Sequence, residues 1–424
     1  MHPVAQVSPS HAMSHVRWQM VAFLFVFSFL TIVDRVAISA AQGDMARELG
    51  ISNVAFGFVF GVFALGYAIF QVPSGIAADR FGPRVFLAGI VLFWSLFTGL
   101  TGLVYSATAL IVIRFVFGAT EAGIYPTASR AIYNWLPTGR RGAAQGILFI
   151  GSRLGAAFGL SVVSFIMARF GWRVSFWLLA CVGVLLAAFW YAWFRNRPEE
   201  KAGVSAAEIE YIHSDPAQAP AAERASGLGK LLLAPSALLL MAQYFASNFT
   251  FFIAFSWLLP YLRIHYRLSL AEAGAYASIP LYFGAFANWS SGMAVDWLYK
   301  RGYRLASRRA PAIAGFALGT VALIAAASMQ TVTGAVICFA VATLGVDLTL
   351  SPSWTACQDV AGPRTGALSG AMNMIGNVGS FISSVTFPWL LAVTGSAATY
   401  FYVAAGINAV AILCWWRIRT ERIL

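Results

Sequence analysis

Long apolar runs broken by short polar punctuation recur along the whole chain. They fall at about 18–40, 53–74, 85–105, 108–134, 143–167, 174–194, 234–261, 272–294, 310–329, 332–356, 366–392 and 398–416. A helix rising 1.5 Å per residue crosses roughly 30 Å of hydrocarbon in about 20 residues, so each run is long enough to span a bilayer. Backbone groups in lipid must be satisfied within the segment itself, so the pattern predicts an all-α polytopic membrane protein with twelve transmembrane helices. The first run is too long, and too poor in a cleavage motif, for a removable signal peptide. The polar interruptions divide the chain into a tail (1–17), a six-helix bundle (18–194), a linker rich in Pro, Ala, Glu and Ser (195–230), a second six-helix bundle (231–416) and a final tail (417–424).

Composition agrees with this reading. Hydrophobic residues make up 59% of the 424 and charged residues only 10%, with a mean hydropathy of +0.73, which excludes a soluble globule. A net charge of +12 would suit nucleic acid, but its distribution points to lipid. Most Lys and Arg lie in the tails and in the loops that share their side, among them Arg80, Arg84, Arg140, Arg141, the 195–230 segment, Lys300 to Arg309 and Arg417 to Arg422. Arg47, Arg169, Arg173, Arg263 and Arg267 fall on the other side. That asymmetry follows the positive-inside rule and predicts a multi-pass inner-membrane protein with both termini cytoplasmic. The cysteines have no metal-like spacing and the histidines all lie in termini or loops, so a proton carrier inside the membrane must be a carboxylate.

The candidate chemistry is therefore the set of charges inside the spans. A charge at mid-bilayer costs roughly 2.5–3.5 kcal/mol on insertion scales, so such residues face a bundle interior or an aqueous cavity. The stretch Arg114 to Gly142 carries Arg114, Glu121 and Arg130; Arg114 and Glu121 are two turns apart and share a helix face. Span one holds Asp34 beside Arg35, about 100° apart on the helix, which suits a shared polar cavity better than a local pair. Tyr67 and Gln71 form a polar stripe on span two. Arg153, between Gly151 and Gly155, is expected to face the cavity, with helix packing as its other reading. Asp347 is open to two roles, a third titratable site or the partner of Arg153.

Span two ends in Gly75-Ile-Ala-Ala-Asp79-Arg80-Phe81-Gly82-Pro83-Arg84. This resembles the GxxxDRxGxR cytoplasmic gating motif of the major facilitator superfamily. A degraded copy, Gly292-Met-Ala-Val-Asp296, follows span eight. Arg140, Gly142, Ala143, Gly146 and Gly155 reappear at one constant offset as Arg364, Gly366, Ala367, Gly370 and Gly379. Two pseudo-symmetric six-helix halves follow, as that superfamily requires. Glu121-Ala-Gly-Ile-Tyr-Pro126, Trp135-Leu-Pro137, Arg141-Gly-Ala-Ala-Gln-Gly146, Arg197-Pro-Glu-Glu200 and Asn373-Met-Ile-Gly-Asn377 together resemble the anion:cation symporter family over nearly the whole chain.

That resemblance implies uptake of an organic anion by alternating access, first a sugar acid (aldonate, uronate or aldarate). The other readings are a carrier of another anion, such as a phthalate-like or aromatic acid, tartrate or an organophosphate, by sodium symport or exchange, and last a membrane sensor that does not transport. The coupling ion would be a proton, with sodium as the alternative; no metal or other cofactor and no enzymatic activity are expected, and a monomer suffices. Asp34 and Glu121 resemble the coupling carboxylates. Arg35 and Arg114 resemble the groups that meet a substrate carboxylate, while Tyr67, Ser351, Ser353, Trp354 and Asn373 resemble sugar-acid contacts. Asn377, which the repeat aligns with Arg153, joins Gln71 as a further polar contact. Ile32 stands where sugar-acid carriers often have a tyrosine, and Arg140 replaces an expected Glu.

Overall fold

The computed structural model describes residues 13–51, 53–213 and 227–420. The outer parts of both predicted tails, 1–12 and 421–424, and the 214–226 stretch of the linker lie outside these residues. The helices are α1 (Val16–Leu49), α2 (Asn53–Phe81), α3 (Pro83–Thr101), α4 (Ala107–Glu121), α5 (Ile124–Trp135), α6 (Thr138–Trp193), α7 (Ala206–His213), α8 (Leu228–Leu232), α9 (Pro235–Phe252), α10 (Leu258–His265), α11 (Leu270–Lys300), α12 (Arg304–Ala326), α13 (Val332–Leu348), α14 (Leu350–Ala361), α15 (Thr365–Thr394) and α16 (Ala398–Arg417).

Several predicted spans are built from two pieces. Helix α6 carries spans five and six, divided at Gly171, whose φ of 79° and ψ of 164° suit only glycine. Span four breaks between α4 and α5, and span ten breaks at Thr349 between α13 and α14. The two breaks are repeat-related: Pro126 and Pro352 each lie five residues after an acid, Glu121 and Asp347. Span seven is α9 and α10 joined by a π turn at Ile253–Trp257, a distortion that often marks functional segments. So assembled, the described residues make twelve passes. By length and composition alone, eight stretches among them suffice to cross a membrane, one of which, Val332–Thr394, runs through two predicted spans. Spans five, seven and eight fall short of that measure and carry polar residues, among them Arg153, Gln243 and Asn288.

The described part of the linker is anchored rather than loose. Glu208 of α7, fully buried, accepts from the Val16 and Arg17 backbone N–H groups, each at 3.2 Å, and from the Arg17 guanidinium at 2.7 Å. It thereby satisfies the free amides at the start of α1 with a carboxylate, where the helix dipole favours negative charge.

The halves mirror each other in their pairings. Helix α1 packs on the first part of α6 as α9 packs on α15, and glycines set the approach: a side chain at Gly151 or Gly379 would strike a carbonyl of the neighbouring helix, Phe25 or Phe245. Between halves, α2 lies on α15 and α11 on α6, and the segments α5 and α14 reach across to the opposite bundle. These contacts cluster on the side that carries the start of α1 and the linker, here called the tail side.

Candidate functional site

A cavity lies between the halves. The first bundle contributes Ile32, Arg35, Tyr67, Tyr125, Phe149, Ser152, Arg153 and Ala156 to its wall. The second contributes Tyr244, Ser247, Asn248, Phe251, Phe252, Asp347, Leu350, Asn373, Asn377 and Ser380. Two guanidinium groups therefore share one small space.

Each is held by a carboxylate. Arg35 donates through Nε to Glu121, 86 residues away in sequence, at 2.9 Å, and its charge lies over the Tyr67 ring at 4.4 Å. The Arg35 Nη2 and Glu121 Oε1 atoms have no hydrogen-bond partner. Arg153 grips Asp347 with a fork, Nε to Oδ2 at 2.6 Å and Nη2 to Oδ1 at 2.5 Å, while stacking on Phe251 at 3.8 Å. Paired geometry of this kind is the strongest a guanidinium makes, and the aromatic faces add cation–π attraction. The second pair ties α6 of one half to α13 of the other, so Asp347 is the partner of Arg153.

Behind this wall lie the other intramembrane charges. Asp34 is buried and leaves Oδ1 unpartnered. Arg114 is buried against the rings of Phe63 (4.9 Å) and Phe117 (4.6 Å), with an unpartnered Nε. Both feel Glu121 electrostatically, but neither lines the cavity. A direct substrate contact for Arg114 is therefore not seen in this conformation.

Three further expected contacts sit beneath the floor. Trp354 is fully buried, donates its indole N–H to the Tyr244 hydroxyl at 3.0 Å and packs against Tyr125 and Phe149. Ser353 donates to Gln243 and to the Thr349 carbonyl, and Ser351 donates to the Gly142 carbonyl across the halves at 2.7 Å. These residues build the floor instead of facing a ligand, because their polar groups are already bonded to neighbouring protein atoms. Asn373 and Asn377 do line the cavity; Asn373 donates to Gln71 at 3.0 Å and approaches the Tyr67 hydroxyl at 3.4 Å.

Sequence reasoning passed over Tyr125, Phe149, Ser152, Tyr244, Asn248 and Phe251. Tyr125 lies within the very stretch that carries Glu121, and Tyr244 with Asn248 repeats the i, i+4 polar stripe of Tyr67 and Gln71. Phe251 has no signal in its apolar run.

The gating-motif residues close the tail side. Asp79 accepts from the Gly366 and Ala367 N–H groups at 2.9 and 2.8 Å; Asp296 accepts from those of Gly142 and Ala143 at 2.9 and 3.0 Å. Each aspartate thus caps the helix of the opposite half. Close approach depends on glycine: a Cβ at Gly75 would run into the Gly366 backbone, and one at Gly292 into that of Gly142. Arg130 lies 4.0 Å from Asp79 and donates to the Pro363 carbonyl, so it belongs to this closure and not to the cavity. Asp359 adds Arg308 at 2.8 Å from its own half and Arg141 at 3.9 Å from the other. At the turn into α3, Gly82 takes a φ of 77°, Arg84 donates to Asn196 and the Tyr191 carbonyl, and Arg80 lies over Phe81.

Comparison with known proteins places this architecture. The chain is 31% identical over 401 residues to a probable sulfoacetate transporter, SauU, of Cupriavidus necator, covering 94% of this chain and 92% of that one. It is 28% identical over 397 residues to the hexuronate transporter of Bacillus subtilis, covering 93% and 92%. The solved proton:xylose symporter XylE, bound to 6-bromo-6-deoxy-D-glucose, superposes with a TM-score of 0.76 at 15% identity over 95% of this chain and 96% of that one, a likeness of fold. A family model described as Major Facilitator Superfamily matches residues 24–384. With two mirrored bundles around one central cavity and a glycine–aspartate closure repeated in each half, the chain belongs to the major facilitator superfamily, and it is a membrane transporter and not an enzyme.

Proposed function

We propose that this protein imports a small organic anion, a sugar acid or a similarly sized acid, by proton symport and alternating access. The observation that carries the reading is the pair of arginines, Arg35 and Arg153, facing one cavity between two mobile halves. A guanidinium in a low-dielectric site attracts a carboxylate strongly, and hydroxyl and amide groups of Tyr67, Tyr244, Asn248, Asn373 and Asn377 suit a hydroxylated body. The sulfoacetate and hexuronate carriers among its relatives support an anionic cargo.

The coupling step follows from the charges. The two guanidinium groups on the cavity wall are each balanced by a carboxylate, Arg35 by Glu121 and Arg153 by Asp347. An entering carboxylate that takes Arg35 leaves Glu121 without its partner in a buried position, where the neutral form is favoured. Glu121 then holds a proton while the anion is bound, with Asp34 and Arg114 behind it modulating that preference. The tail side is read as cytoplasmic from its basic loops. The closed tail side then corresponds to the state that receives substrate from outside.

The test is the pH outside proteoliposomes as aldonates, uronates, aldarates, sulfoacetate and aromatic acids are added one at a time. Alkalinisation with one acid supports the reading. Uptake of labelled acid without alkalinisation, restored by sodium, would replace the proton with sodium. Binding without counterflow would point to a sensor.

A further inference from the structure

Two arginines on one cavity wall, each held by a carboxylate, ask for more than one anionic group. We propose that Arg153 and Asp347 form a second anion subsite, so that the cargo is a short dianion with one end at Arg35 and the other at Arg153. This rests on the organic-anion reading and narrows it to dicarboxylates or sulfocarboxylates.

The geometry is that of a built site. The Asp347 carboxylate is buried and fills the Arg153 fork, and Gly284 keeps the space behind it clear, since a side chain there would meet Asp347 and come within 3.3 Å of the Arg153 Nε. The repeat places Asp347 and Glu121 equivalently, each five residues before the proline of a broken span, and each pairs with an arginine that lines the cavity. Tyr125 lines the same cavity as both guanidinium groups, so one phenol is shared by the space between the two subsites. Each internal carboxylate occupies the place that an anionic end of the cargo would take.

The subsite also bears on movement. Arg153 belongs to the first half and Asp347 to the second, so the pair spans the interface that must rearrange when the halves rock. An anionic group that takes over Arg153 frees Asp347, and with it the second half. A monoanion at Arg35 leaves this bridge intact. A purely structural ion pair would have no reason to face the cavity.

Counterflow in proteoliposomes tests the proposal, with galactarate, glucarate and sulfoacetate as dianions against galactonate and glucuronate as monoanions. The wild type should prefer a dianion over its monoanionic counterpart by about tenfold or more, the scale of one added charge-assisted contact. In the charge-neutral double variant R153Q/D347N the dianion's affinity should fall at least tenfold more than the monoanion's, and R153K should fall between. Ligand-induced thermal shift of the same purified proteins reports binding directly and shows that each variant is folded. Equal handling of monoanions and dianions by the wild type would overturn the second subsite and leave the organic-anion reading standing, as would equal losses for both classes in the double variant. Silence of the wild type across the whole panel would overturn both.

Discussion

Asp79→Asn and Asp296→Asn test how the tail side is held shut. Each aspartate sets both oxygens on two successive backbone N–H groups of the facing helix, in the first turn of α15 for Asp79 and the second turn of α6 for Asp296, at 2.8–3.0 Å. Asparagine keeps one acceptor and turns an NH2 donor toward the second N–H. A hydrogen bond to a charged acceptor contributes about 1.5–3 kcal/mol, and negative charge at a helix N-terminus about 0.3–1 kcal/mol. A loss of roughly 2–3 kcal/mol per site lowers the ratio of closed to open molecules by about 30- to 160-fold. Because the two sites sit on separate helix pairs, the double variant should lose roughly the sum of the two, enough to invert a 99:1 population. The assay is a distance distribution between spin labels at Val85 and Tyr303, exposed tail-side positions in opposite halves. The wild type should give one short distance, and each variant a second, longer population of similar size. Unchanged distributions would refute the capping argument; a shift at one site alone would refute its symmetry.

Three other substitutions probe separate parts of the argument. Glu121→Gln should keep counterflow of the anion yet lose accumulation driven by a proton gradient; accumulation equal to wild type would remove Glu121 from coupling. Gly171→Ala adds a Cβ into open space at a φ of 79°, so strain alone should cost roughly 1–3 kcal/mol and lower the melting temperature in detergent, and an unchanged melting temperature would contradict it. Glu208→Ala strands Arg17 and the first amides of α1; breaking a buried pair costs about 3–5 kcal/mol, so the melting temperature should fall further than for Gly171→Ala.

Much of the architecture was legible because its signals are local. The gating motif could be read because Gly75 and Asp79 sit one turn apart, and its copy at Gly292 and Asp296 revealed the mirrored half. The contact it makes was only implied: nothing near Asp79 in sequence names Gly366 as the helix it caps. The cavity was half legible. Arg35, Tyr67 and Arg153 stand out as polar exceptions in apolar helices, Asn373 through the family motif and Asn377 through the repeat, but Phe251 looks like any lipid-facing phenylalanine until Arg153 lies across it.

Apolar run length laid out the spans and the internal repeat divided them into two halves, because insertion in a bilayer depends largely on each segment's own composition. They also singled out the charges within the spans, although Arg130 among them belongs to the tail-side closure. The tertiary structure decided how those charges pair. Arg35 pairs with Glu121 and not with its neighbour Asp34, Asp347 crosses the interface to Arg153, and Trp354 and Ser351 are taken up by Tyr244 and the Gly142 carbonyl. Electrostatic attraction in a low-dielectric interior is steep in distance, and those distances are set by the rotation and packing of whole helices, which the pattern along any one helix does not encode.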